Sequence, residues 1–154
     1  MECRIRIATK EEIDLLVDLR IRFVTDLHPE YDQNKVRELT VATKAYLEGL
    51  FARDAYVGFV GEVGGEVACT AGLLIYDYPP LYSKDFRKIG HVLNFFTIKK
   101  FRRNGFGNKM MEFIKDYAKR NSFHKLDLTA TEDGYGLYEK CGFTDSVRNM
   151  ELAL

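Results

Sequence analysis

Residues 95–109 read Phe95-Phe96-Thr97-Ile98-Lys99-Lys100-Phe101-Arg102-Arg103-Asn104-Gly105-Phe106-Gly107-Asn108-Lys109. An apolar strand runs into a loop of Arg, Asn and Gly. The loop opens a helix marked by Phe106, Met110, Phe113, Ile114 and Tyr117 at helical spacing. From Thr97 to Met111 there are five basic residues and no acidic one. The composition predicts an anion site. The first turn of a helix presents unpaired N–H groups and the positive end of its dipole. Gly105 and Gly107 lack a Cβ, so an anion can approach the backbone closely. Arg102 and Arg103 add charge-assisted donors suited to phosphate oxygens. A pyrophosphate fits such a loop. No Gly-Lys-Ser/Thr follows, so this is not a Walker loop. Position 110 is Met, so the third glycine of a dinucleotide fingerprint is missing.

Outward from this loop the chain reads as mixed α/β. Residues 3–8 alternate as a strand with Ile5 and Ile7 on one face, and Thr9 with Glu12 forms a capping-box signature. Ile13, Leu16, Val17, Phe23, Val24 and Leu27 predict one helix, a turn follows at His28-Pro29, and Val36 through Phe51 predict a second. Residues 55–63 and 66–76 are β-rich and separated by Gly64-Gly65, a hairpin signal. Residues 77–88 read as a loop and His91–Ile98 as a strand. Beyond the loop's helix, Leu126, Leu128 and Ala130 mark a strand. Asp133 is the expected cap of a short helix through Leu137, Tyr138 and Cys141, with Gly142 as its stop. Phe143 and residues 147–153 are expected to close the sheet. The predicted order is β-α-α-β-β-β-α-β-α-β, within one domain covering residues 1–154.

Composition narrows the function classes. Lys+Arg is 23 and Asp+Glu is 23, so the net charge is zero, which argues against a general nucleic-acid or anionic-membrane binder. No apolar run approaches the ~18 residues of a membrane span. Cys3, Cys69 and Cys141 are too few and too scattered for a disulfide framework, so a reduced, cytoplasmic setting is expected. His28, His91 and His124 have no metal-ligand spacing, and no metal is expected.

The segment Phe101-Arg102-Arg103-Asn104-Gly105-Phe106-Gly107 resembles the Arg/Gln-x-x-Gly-x-Gly/Ala motif of the GNAT N-acetyltransferase superfamily. Gly136-Leu137-Tyr138-Glu139-Lys140-Cys141-Gly142-Phe143 is similar to that superfamily's Leu-Tyr-Glu-Lys-x-Gly-Phe segment, and it lies at the family's distance downstream. The resemblance implies a mixed sheet whose central strands splay into an acyl-CoA cleft. It implies acetyl-CoA as co-substrate and transfer of the acetyl group by direct attack of an amine. Phe95 and Thr97 would hold the pantetheine arm, and a backbone N–H near Phe95 or Phe96 would polarise the thioester carbonyl. Arg102, Arg103, Asn104, Gly105, Phe106, Gly107 and Asn108 would cradle the pyrophosphate. Tyr138 would face the sulfur as general acid. Two positions depart from the family pattern: Lys99 stands where Pro is frequent, and no Asn follows the fifth strand, where Thr131 is a candidate substitute for the family's cofactor contact.

The acceptor must present a neutral amine. At a pKa of ~10.4, neutralising a lysine-like amine at pH 7 costs roughly 4.6 kcal/mol, so a base or an equivalent device is needed. Glu132, Asp133 and His91 are the candidates, Glu132 and Asp133 also being natural dipole partners of a helix start. Residues 11–54 hold ten acidic and six basic residues, with Asp26, Glu30 and Asp32 near the interhelix turn. A cationic small-molecule or peptide amine is the expected acceptor. Tyr76, Tyr78, Tyr82 and Phe86 are candidates to line its pocket. A non-catalytic acyl-CoA-binding sensor on the same fold is the alternative. By analogy with relatives, pairing of the tail between subunits predicts a homodimer.

Overall fold

The structure is a computed structural model describing residues 1–81, 87–146 and 150–154. Five strands form one sheet in the order β1-β2-β3-β4-β5: β1 Arg4–Ile7, β2 Tyr56–Val63, β3 Glu66–Tyr78, β4 Arg87–Thr97 and β5 Lys125–Leu128. The first four are antiparallel to their neighbours, and β5 runs parallel to β4. That parallel pair needs a crossover, and α3 (Phe106–Arg120) supplies it. The other helices are α1 (Ile13–Leu27), α2 (Gln33–Ala52) and α4 (Glu132–Lys140).

The β2–β3 turn has positive φ at Gly64 and Gly65, 59° and 83°, as a two-residue turn matched to strand twist requires. Asp32 caps α2, its Oδ1 accepting the Lys35 N–H at 2.8 Å. The Thr9–Glu12 capping box is present, with the Glu12 carboxylate accepting the Thr9 N–H at 2.8 Å.

Two apolar layers flank the sheet. On one face Leu16, Val17 and Leu19 of α1 and Leu47 and Leu50 of α2 pack over Tyr56 and Val60. On the other, Met110, Met111 and Ile114 of α3 pack over Phe59, Ala71, Leu73 and Val92. Central strands covered on both faces read as near-continuous apolar runs, which explains the composition of β2 and β3.

Three expectations change. Thr131, not Asp133, caps α4, accepting the Gly134 N–H. The 77–88 loop is shorter than its sequence suggests, because β3 runs to Tyr78 and β4 begins at Arg87. Tyr82 and Phe86 lie outside the described residues. No closing strand forms among the described residues: 143–146 and 150–154 have no regular structure, and 147–149 lie outside them. The outer edge of β5 therefore has no strand partner among the described residues. Nor is any described helix long and apolar enough to cross a membrane.

Candidate active site

The site begins with an irregularity in β4. Leu93 pairs with Gly72 and Phe96 with Thr70, so Asn94 and Phe95 face Ala71 alone. This is a β-bulge, and Asn94 takes φ 53° to make it. Asn is among the few residues that tolerate this left-handed conformation. The extra residue resets the alternation of side chains. Phe96 packs on Phe23 of α1, ring centroids 5.7 Å apart. Phe95 points to the opposite face, 5.7 Å from the Tyr138 ring in an edge-on arrangement. Beside the bulge, β4 also parts from β5. Their pairing ends at Val92–Leu128, while β4 continues to Thr97. The gap is the splayed cleft expected between central strands.

The Arg-Asn-Gly loop closes one end of this cleft. Gly105 has φ 76° and sits at the N-cap of α3, a conformation costly for a residue with a Cβ. The Asn104 side-chain amide donates to the Phe101 and Arg102 carbonyls at 3.1 and 3.2 Å, which folds the loop on itself. The backbone N–H groups of residues 103–108 donate to no acceptor among the described residues. Six consecutive free donors at a helix start match the needs of a diphosphate. Gly107 lies close under the cleft: a Cβ there would stand 3.1 Å from Leu137 and 3.6 Å from the Phe95 ring.

The arginines divide their work. Arg102 does not reach into the loop as its sequence position suggests. Its Nη2 pairs with Asp26 of α1 at 2.6 Å and its Nε donates to the Thr97 carbonyl at 3.0 Å. The guanidinium also lies 5.6 Å from the Phe96 ring centroid. Arg102 thus braces the loop against α1, and Arg103 is the exposed cation left at the loop itself.

The helix α4 brings Tyr138 against Phe95 and, at 6.1 Å, Phe143. Burial raises the Tyr138 pKa, so the phenol keeps its proton. Its hydroxyl makes no hydrogen bond among the described residues. Gly142, φ 94°, ends the helix, and the Phe143 N–H returns to the Tyr138 carbonyl at 3.0 Å. Lys115 of α3 donates to the Cys141 carbonyl at 3.1 Å and ties this end to α3.

Comparison with known proteins identifies the arrangement. The profile described as Acetyltransferase (GNAT) family matches residues 19–143. The chain belongs to the GNAT acetyltransferase family. A predicted acetyltransferase from Clostridium acetobutylicum, solved with acetyl-CoA, is 29% identical with a TM-score of 0.82, covering 99% of this chain and 96% of that one. A GCN5-related N-acetyltransferase from Ralstonia eutropha JMP134 shares the fold at 22% identity and TM-score 0.81, with 99% of each chain covered. Glucosamine 6-phosphate N-acetyltransferase of Arabidopsis thaliana is 27% identical over 84 residues. That match spans 54% of this chain and 54% of the relative, so the chain spans about half the length of the curated relative it matches.

In this GNAT chain the predicted bases separate. Glu132 and Asp133 occupy the exposed first turn of α4. There they favour the helix dipole. His91 lies on β4 opposite Asp127 of β5, its Nδ1 2.6 Å from Asp127 Oδ1. The Tyr76 hydroxyl of β3 donates to Asp127 Oδ2. Desolvation, then this bond to a carboxylate, raises the Tyr76 pKa far above that of a free phenol. With Nδ1 held against Asp127, Nε2 is the ring nitrogen left to meet a ligand. Sequence reading found His91 but not its partner, because only strand register brings residues 36 apart together. A groove of about 880 Å³ along β5 includes Tyr76, His91, Asp127, Thr129 and Tyr138 in its lining. The acidic residues of the α1–α2 turn are already engaged: Asp26 with Arg102, Glu30 with His28 at 3.0 Å, and Asp32 as the α2 cap. They do not form a free acidic rim.

Proposed function

We propose that this protein transfers the acetyl group of acetyl-CoA to a primary amine of a small molecule or peptide by direct attack in the β4–β5 cleft. The observation that carries the reading is the meeting of three features at one place. These are the bulge at Asn94–Phe95, the Tyr138 phenol against Phe95, and the six free amides of residues 103–108.

When bound, acetyl-CoA supplies a thioester carbonyl as the electrophile. The loop amides and Arg103 hold its diphosphate, and Phe95 with Thr97 flanks its pantetheine arm. Thr131 spends its hydroxyl on capping α4 and contributes by setting the start of that helix. The bulge removes Phe95 from the ladder, so its N–H is available to the carbonyl oxygen as negative charge builds there. Tyr138 donates toward the departing sulfur. A phenol of pKa ~10 giving its proton to a thiolate of pKa ~8.5 is uphill by about 2 kcal/mol, and burial of Tyr138 adds to that. Tyr138 therefore works as a hydrogen-bond donor more than as a full proton donor. His91 Nε2 takes the ammonium proton of the acceptor, with Asp127 and Tyr76 steadying the imidazolium. Glu132, in the exposed first turn of α4, is assigned a lesser role.

The test is acceptor-dependent release of CoA thiol from acetyl-CoA across amino acids, amino sugars, polyamines and Lys peptides. At least one acceptor is expected to accelerate release. His91→Gln is expected to lower kcat at neutral pH and to recover at high pH, where the amine is already neutral. Binding of acetyl-CoA with no acceptor-dependent release would make the protein a sensor of acyl-CoA.

A further inference from the structure

Every charged residue of α1 except Arg20 has an opposite partner. Asp14 pairs with Lys44 at 2.7 Å, Asp18 with Arg22 at 2.9 Å, and Asp26 with Arg102 at 2.6 Å. Arg20 is half-buried and makes no ion pair or side-chain hydrogen bond among the described residues. Its guanidinium lies 5.4 Å from the Phe23 ring centroid. The groups that act on it are the phenols of Tyr56 and Tyr46, and no carboxylate is among them. Desolvation without a counter-charge pulls its pKa down. A half-buried cation left in this state is a standing cost to the fold.

A second unpartnered group lies close by. Asn94 Oδ1 is buried and accepts no hydrogen bond among the described residues, while Asn94 Nδ2 lies 3.4 Å from the Tyr56 hydroxyl. Tyr56 itself is only 5% exposed. It lies across Gly72, where a Cβ would stand 2.7 Å from its Cζ. Phe23 meets both neighbourhoods: the Arg20 guanidinium lies 5.4 Å from its ring centroid, and the ring of Phe96, two residues after Asn94, lies 5.7 Å from it. One cation and one acceptor thus flank the bulge on the α1–α2 face, opposite the face where Phe95 meets Tyr138. Such a pair suits a ligand with an anionic group and an N–H donor.

We propose that the acceptor is a primary amine that also bears a carboxylate or a phosphate, its anionic group seated on Arg20 and its amine turned toward Asn94 at the bulge. This rests on the acetyl-transfer reading, and it specifies the substrate class. Rejection follows from the same chemistry: an amine without the anion leaves Arg20 uncompensated.

Binding without acetyl-CoA tests the proposal separately from catalysis. Calorimetric titration compares three pairs: L-phenylalanine with 2-phenylethylamine, β-alanine with propylamine, and glucosamine 6-phosphate with glucosamine. The anionic member of at least one pair is expected to bind at least tenfold more tightly. Which pair responds separates carboxylate from phosphate. Arg20→Met is expected to remove that preference, and Arg20→Lys to keep part of it. Because the pairs are first compared on the wild-type protein, the test stands even where a variant folds poorly. No tenfold preference in any pair, or a preference that Arg20→Met retains, overturns the proposal. A preference found without acceptor-dependent thiol release would sink acetyl transfer and leave the anion site standing.

Discussion

Tyr138 illustrates how one side chain packs through its ring and still presents a hydroxyl. Its ring packs between Phe95 and Phe143, and its hydroxyl is left for the cleft. Tyr138→Phe keeps the packing and removes the donor. We expect kcat to fall by about 10- to 100-fold while CoA affinity stays within about twofold, measured by thiol release and equilibrium binding. Unchanged kcat with a confirmed acceptor would remove Tyr138 from the mechanism. Because burial raises its pKa, deprotonation of Tyr138 should not limit activity below pH ~10. The sequence announces this residue through its place in the Leu-Tyr-Glu-Lys segment. It is silent about Asn94, whose φ of 53° and unpaired Oδ1 arise only once the bulge forms. The one clue is an Asn inside the apolar run Val92-Leu93-Asn94-Phe95-Phe96.

Between elements, a small charged network ties the first strand to its neighbours. Arg6 of β1 pairs with Glu12 at 2.8 Å and with Glu62 of β2 at 2.7 Å. The Arg6 guanidinium and the Thr9 N–H hold the Glu12 carboxyl down at about 2, against an ordinary 4.5. A lowered carboxylate pKa stabilises the fold above the unfolded value and stops doing so as pH falls through the folded one. The window is therefore pH 4.5 down to 2. Glu12→Gln is expected to cost about 1 kcal/mol at pH 7, a value discounted for partial exposure. The gap to wild type should narrow through that window in urea melts. A constant gap from pH 7 to pH 2 would contradict the assignment. Helices and their caps were legible at this scale, since their signals lie within a few residues. The α4 cap was misread by two positions because Thr131 and Asp133 are both capping residue types, and the backbone turn at Thr131 decides between them.

For the molecule as a whole, the two apolar layers and the sheet account for stability without covalent help. All three cysteines are free and buried. The Cys3 and Cys69 thiols meet beneath β2 because Gly61 has no side chain to separate them. Burial, then the neighbouring Cys3, pushes the Cys69 thiol pKa well up. The two cysteines nonetheless belong to either side of β2, two strand spacings or about 9.6 Å apart, beyond disulfide reach. The melting temperature is expected to be the same with and without reductant, and oxidised glutathione should not cross-link the pair. A shift of more than about 2 °C on reduction would show a bond the fold does not provide for.

The Arg-Asn-Gly loop, the helices and the hairpin were determined by sequence alone, because left-handed glycines, caps and helical spacing depend on neighbours a few residues away. The tertiary structure alone decided what those parts do to one another. It turned Arg102 to Asp26, 76 residues away, and His91 to Asp127, 36 away. It also left Arg20 without a partner among the described residues, while Asp14, Asp18, Arg22 and Asp26 of α1 each found one. The physical reason is register: strand pairing sets which residues share a face, and one extra residue at Asn94–Phe95 reverses that alternation. That reversal puts Phe96 on the α1 face and Phe95 against Tyr138, and so sends adjacent residues to opposite faces of the sheet.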